Sequence, residues 1–285
     1  MATTTFSAAP SGLTNANFRL WGSQLSAALV AVGMILVECT GDIDWTTVTA
    51  PGAGVYAGWE VFRFSDTAQA THPVFFKLEY GTSTYAGNPG LRLTVGRGVN
   101  TADGTLTTPT TSAMAITQGG DNDTTTMYDC FVSGSTGRCN VIMFAGHITH
   151  LCFYIERTKD DNGNATDDAV NVVVVSNANL KQQLLPKIGS AFPVASHAPQ
   201  CDMPPAGTGS WGTNIGFYPI KPNYGYAANP DLGGVLYFTG DLASVGALVT
   251  LTLFLTSHTF ITAGYGQTGA VNGNATVKSI AMRYE

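Results

Sequence analysis

The chain has 285 residues, of which 44% are hydrophobic and only 11% are charged. That apolar share supports a packed core and excludes general disorder, while the scarcity of Glu, Lys and Arg excludes a coiled coil or helical bundle. A formal net charge of −6 leaves no clustered basic surface to neutralise phosphate, so no nucleic-acid partner is expected.

Threonine alone outnumbers all charged residues together, and there are 33 glycines. The length fits one large β domain, or two domains of roughly 150 residues each.

Residues 1–14 open with MATTTFSAA and read as a small, polar N-terminal arm, free or docked on a partner. No basic stretch precedes an apolar one, so no secretory signal is visible and synthesis in a host cytoplasm is expected. Residues 15–32 carry a helical signature, with Leu25, Ala28, Leu29 and Val32 recurring on one face. Ser23 is the predicted N-cap and Gly33 the stop. As a helix, the apolar run Leu25–Val37 would reach about 20 Å, short of the ~30 Å hydrocarbon core, so no membrane insertion is expected.

Strand patterns follow at Val55–Phe64, Pro73–Tyr80 and Leu91–Val95, with Asn88–Pro89–Gly90 read as the turn between the last two. Trp59 reads as a core ring. Lys77, Glu79 and Arg92 alternate outward, and Glu60 and Glu79 are assigned solvent-facing or cross-strand positions. The Thr-rich run Gly104–Asp129 is an edge strand or an exposed loop.

Further strands are predicted at Val141–Phe144, His147–Arg157 and Ala169–Ser176, the last two joined through the hairpin signal Asn162–Gly163. Asn179–Lys187 is predicted as a short helix broken at Pro186. Residues 188–230 form a Pro/Gly/Tyr-rich excursion of the kind used for interaction, and strands return at Gly234–Thr239, Leu248–Thr262 and Thr276–Tyr284.

The predicted fold is mainly β: an antiparallel β-sandwich or barrel-like domain or domains, with one or two short helices and long loops. The organisation is an N-terminal arm at 1–14, a helix plus β module at 15–104, and a β-rich domain at 105–285 containing the excursion.

The search for chemistry returns mostly turns. Gly207–Gly212 and Gly264–Gly269 both satisfy GxGxxG, but neither precedes the helix that a dinucleotide site requires. His147 and His150 lie in a strand pattern, where their odd spacing puts them on opposite faces, so no metal pair is assigned to them. Of the five cysteines, Cys130 and Cys139 flank a turn, leaving a disulfide open. Reduced core thiols are the expectation for a cytoplasmic product.

The loop residues Asp160, Asn162, Asn164, Asp167 and Asp168 supply the oxygens that calcium favours. Ala165 and Asn171 stand where an EF-hand needs Gly and Glu, and a solvated hairpin tip explains the loop equally. Neither GxSxG nor GxxxxGK occurs, and no carboxylate pair can be read from one sequence. No catalytic residue, cofactor or enzymatic activity is therefore expected. Trp211, Phe217, Tyr218, Tyr224 and Tyr226 are candidates for assembly or ligand contact, since rings in such a loop stack on sugars or fill a partner's pocket; plugging their own fold is the alternative.

Three segments carry a family resemblance: WGSQLSAALVAVGMILVECTGDIDWTTV (21–48), GWEVFRFSDTAQATHPVFFKLEYGTS (58–83) and NPGLRLTVGRG (88–98). They resemble a module of tailed-bacteriophage virion proteins, over residues 20–104. The resemblance implies a structural component of the virion, in the tail, baseplate or fibre apparatus, acting through protein–protein assembly. Its partners would be copies of itself and other virion proteins. A host-glycan-binding module of a tail fibre, with a host surface glycan as partner, and a capsid decoration protein are the alternatives. The motifs bring no catalytic residue with them.

Overall fold

A computed structural model describes residues 2–8, 13–82, 89–108, 114–115, 128–145, 148–159, 162, 164–176, 179–185, 200–201, 216–221, 235–239, 248–253, 256–264 and 279–284. The chain starts with β1 (Ala2–Ala8) and α1 (Asn15–Ala31). The strands β2 (Ile35–Val37), β3 (Tyr56–Arg63), β4 (Phe75–Thr82), β5 (Pro89–Gly96), β6 (Gly98–Asn100), β7 (Thr105–Thr107) and β8 (Met114–Ala115) follow. Next come β9 (Tyr128–Ser135), β10 (Arg138–Ala145), β11 (Ile148–Lys159), β12 (Ala165–Ser176) and β13 (Asn179–Leu185). The chain continues through β14 (Gln200–Cys201), β15 (Gly216–Lys221), β16 (Val235–Thr239), β17 (Leu248–Leu253), β18 (Thr256–Gly264) and β19 (Ser279–Arg283).

The fold is mainly antiparallel β. A first sheet has the order β2-β3-β4-β5-β8; a second, six-stranded, β1-β9-β10-β11-β12-β13; a third, also six-stranded, β14-β15-β16-β19-β18-β17. Strands β6 and β7 form a separate hairpin.

The sheets stack in a sandwich-like manner, and the alternation of side chains explains how. On the middle sheet, Val132, Val141, Phe153 and Ile155 face a core shared with α1 and with Phe62, Phe76, Leu78, Tyr80, Leu91 and Leu93 of the first sheet. The opposite face carries Ser133, Asn140, Ile142 and Tyr154, which are also buried. There Ser133 Oγ and Asn140 Nδ2 both donate to the Arg283 carbonyl, and Phe131 meets Tyr284 edge-on at 5.8 Å. β9 to β11 are therefore covered on both faces, and their near-continuous apolar runs reflect it. The shared core draws on residues either side of position 104, which itself lies between the two strands of the β6–β7 hairpin.

The helix has well-defined ends. Thr14, and not Ser23, is the N-cap: its hydroxyl accepts from the Asn17 amide at 3.2 Å. Ser23 sits inside the helix and donates to the Leu20 carbonyl, as mid-helix serines do. At the other end Gly33 takes φ +102°, the Gly33 amide donates to Val30 and the Met34 amide to Leu29. That is a Schellman termination, with buried Met34 and Leu29 as its apolar pair.

Three further expectations change. The arm forms β1, an edge strand paired along its length with β9 of the same chain. Asn179–Leu185 is a strand and not a helix: its pairing with β12 from Ser176↔Asn179 to Val170↔Leu185 overrides the helix propensity of Leu, Lys and Gln. Pro89 and Gly90 already belong to β5, paired with Thr82 and Gly81, so the link to β4 is residues 83–88. Cys130 and Cys139 are free, buried thiols, as expected, and the disulfide left open does not form: Cys139 stands opposite Gly134 and Cys130 opposite Met143, too far along the ladder for a cross-hairpin bond.

Candidate functional site

The sequence-predicted candidates lie mostly at the margin of the described residues. Trp211, Tyr224, Tyr226 and Asp160 fall outside them. Phe217 and Tyr218 lie on β15, opposite Phe238 and Tyr237 of β16. Asn162 and Asn164 are exposed in the β11–β12 connection. Asp167 and Asp168 are not on that turn. β12 begins at Ala165, and they fall where its register with β11 shifts between Arg157 and Lys159. Among the described residues no three His, Cys, Asp or Glu side chains come close enough to hold a metal ion.

The structure instead brings together three polar constellations. The first surrounds Glu60, which is 4% exposed. The register of β3 places Glu60 with Phe62 on the core face, correcting its assignment to a solvent-facing or cross-strand position. Ser26 Oγ of α1 donates to Glu60 Oε1 at 2.9 Å, and Trp45 Nε1 donates to the same oxygen at 3.0 Å. Tyr80 Oη of β4 donates to Oε2 at 2.6 Å. Burial pushes the Glu60 carboxyl above its ordinary range, and the three donors pull it partly back. Full burial, and then the neighbouring Glu60, holds the Tyr80 phenol well above its usual value. Trp45 and Tyr80 also meet edge-on at 4.8 Å. This arrangement fixes the helix to the sheet.

The second constellation covers the outer face of the first sheet. Trp59 is half-buried there, correcting its reading as a core ring; the buried neighbour on its own face is Val61. Lys77 Nζ lies 4.0 Å from the centroid of the Trp59 ring and donates to the Gly104 carbonyl. Gly104 has φ +64°, and a Cβ there would fall 2.1 Å from the indole, so only glycine lets the hairpin close over Trp59.

Next to it Glu79, assigned a solvent-facing or cross-strand position, forms a cross-strand ion pair with Arg92, and the guanidinium lies 4.5 Å from the centroid of the Tyr56 ring. Cys39 shares this region, with Asp42 Oδ2 accepting from its amide at 2.8 Å. Burial, then the Asp42 charge, raises the Cys39 thiol above its ordinary value. Burial likewise lowers the Lys77 ammonium.

The third constellation joins two sheets. Arg157 of β11 is buried, and its guanidinium donates to both carboxylate oxygens of Asp66, to the His72 carbonyl and to Gln69 Oε1. Phe64 lies 5.3 Å beneath the guanidinium. The amides of Ser65 and Asp66 donate to the Thr136 carbonyl at the β9–β10 turn, closing the same junction.

The sequence reading missed both Glu60 and Arg157. The signal was parity: Glu60 shares a strand face with Phe62, and Arg157 with Phe153 and Ile155.

No protein-family model matches the chain, and no curated protein sequence matches it either.

Proposed function

We propose that the protein is a structural component of a bacteriophage virion, in the tail, baseplate or fibre apparatus, acting by assembly and not by catalysis. The observation that carries this reading is how the segment resembling virion modules spends its polar groups. Glu60, Asp66, Lys77, Glu79 and Arg92 are all engaged in bonds or stacking that hold the fold together. Trp21, Phe62, Phe64, Phe76, Leu78 and Tyr80 of the same segment are buried core. A segment built this way is scaffold, and scaffold serves a particle through its surfaces and edges.

The low charge supports the same role, because many copies packed side by side repel less. Virion proteins also gain stability from symmetric contacts beyond their own cores.

The test is location. Antibody raised against the purified protein should label phage particles, and labelling of the tail or baseplate in electron micrographs is the expected result. Labelling of the capsid shell would move the assignment to a decoration protein. Absence from purified particles, with abundant protein in the lysate, would overturn it.

A further inference from the structure

The middle and third sheets meet at a junction rich in basic side chains. On the middle sheet, Arg138 of β10 stands opposite Glu156 of β11, and the same face carries Asn140 opposite Tyr154. On the third sheet, Arg283 of β19 stands opposite Phe260 of β18, and His258 precedes Phe260 by two residues, on the same face. The bonds from Ser133 and Asn140 to the Arg283 carbonyl bring these two faces together.

Three basic groups therefore converge from three strands. The charges of Arg283 and Arg138 both act on His258, and Arg138 acts on Arg283. Glu156 is the one carboxylate acting in this group among the described residues. It accepts from Tyr154 Oη, and its charge acts on Arg283 but not on His258. The other strand beside β18 is β17, LVTLTL, which sets Leu251 opposite His258 and adds no charge. His258 is part-exposed, so protons reach it in the folded chain.

We infer that this junction is a pH-sensitive latch: the third sheet is held against the middle sheet while His258 is neutral, and protonation of His258 beside Arg283 and Arg138 drives the sheets apart. The holding contacts lie next to the basic group. They are the two bonds to the Arg283 carbonyl and the edge-on meeting of Phe131 with Tyr284. A third cation thus arises where the sheets are joined. Release uncovers Ser133, Asn140, Ile142 and Tyr154, the buried outer face of the middle sheet.

Burial, then Arg283 and Arg138, hold the imidazolium below its ordinary range. In the released state the ring returns to that range, about 6.5. The latch is therefore at full strength above the ordinary value and is lost as pH falls through the lowered one. Glu60 titrates in the opposite sense and in a different place, between α1 and the first sheet. Such a latch goes beyond the assembly role proposed above and does not depend on it.

The test is amide hydrogen exchange of the full chain at about pH 7.5 and about pH 5, expressed as protection so that the intrinsic rates cancel. In wild type, β18 and β19 are expected to lose protection about threefold relative to β9 and β10 at the lower pH. His258→Gln, which stays neutral, should keep the higher protection at both. Arg138→Gln should shrink the pH dependence, and the His258 midpoint followed by NMR should rise in that variant. The same loss of protection in wild type and His258→Gln would overturn the latch. So would a loss shared equally by all the sheets, or a His258 midpoint that Arg138→Gln leaves unmoved.

Discussion

Glu60 and Arg157 are both buried charges, and the fold accommodates them in opposite ways. Glu60 has no cation among the described residues; three neutral donors from a helix, a loop and a strand converge on it. Arg157 has a carboxylate, a carbonyl and an amide oxygen, all from the segment that follows β3. The first arrangement remains sensitive to protonation, because a lone carboxylate in low dielectric favours its neutral form. The second depends on geometry, because a planar guanidinium requires its acceptors at fixed angles. The difference also maps onto architecture: Glu60 works inside the helix-and-sheet unit, whereas Arg157 links that unit to the middle sheet.

The largest effect should come from breaking the link. Arg157→Ala leaves Asp66 without this cation and removes the guanidinium's bonds to the His72 carbonyl and to Gln69 Oε1, and should cost about 3–5 kcal/mol in urea unfolding. Arg157→Lys restores the charge without the fork and should recover only part of that loss. A cost below about 1 kcal/mol for the alanine variant would mean that the junction is held by its apolar neighbours alone.

Glu60 sharpens the contrast through pH. Its folded-state carboxyl is raised, so between its unfolded and folded values the native state binds more protons than the unfolded chain. The stabilising contribution of the protonated form is complete below the unfolded value and is lost as pH rises through the folded one. Glu60→Gln should therefore match wild type near pH 4 and gain on it toward pH 8, because Gln stays neutral and its oxygen still accepts from Ser26 and Trp45. Glu60→Ala leaves all three donors without an acceptor and should cost about 3 kcal/mol near pH 4, a cost that shrinks toward pH 8 as wild type loses the contribution of the protonated form. Stability curves measured across that range would fail the argument if the Gln variant ran parallel to wild type.

These two residues also mark where sequence reasoning stopped. The helix, most strands and the antiparallel character follow from periodicity, since Leu25, Ala28, Leu29 and Val32 do share the buried face. Glu60 and Arg157 were hidden because a charged letter in a strand reads as solvent-facing, and their partners are far away in the chain. Asp66 is 91 residues from Arg157 and Ser26 is 34 from Glu60. Asn179–Leu185 was misread for the same physical reason: local propensity favours a helix, but the ladder with β12 is a nonlocal term. The arm was misread because nothing local in ATTTFSA indicates that β9 would receive it.

A smaller effect is expected on the outer face, where packing and charge are combined. Trp59 is half-buried, so Trp59→Ala should cost about 2 kcal/mol, less than a core tryptophan. Gly104→Ala should approach that figure without touching Trp59, because it adds a Cβ at positive φ against the same ring. The double variant separates the two contributions. With Trp59 already truncated, Gly104→Ala should retain only its backbone penalty, about 1 kcal/mol. Full additivity in the cycle would show that the indole and the hairpin do not meet.

The smallest effect is expected from the most conspicuous ion pair. Glu79 and Arg92 face each other across β4 and β5, yet the Arg92 side chain is 38% exposed. Water and salt screen such a pair, and measured values for exposed pairs fall near 0.2–1 kcal/mol. Glu79→Gln keeps a hydrogen-bond acceptor for the guanidinium and leaves the Tyr56 ring beneath it, so the loss should be about 0.5 kcal/mol and should vanish at molar salt. Arg157→Ala should lose little of its cost under the same salt, because the Arg157 cation is buried and its pair with Asp66 is poorly screened. A Glu79 variant as damaging as the Arg157 variant would mean that water is excluded from this sheet face in solution, since only that could make the pair strong.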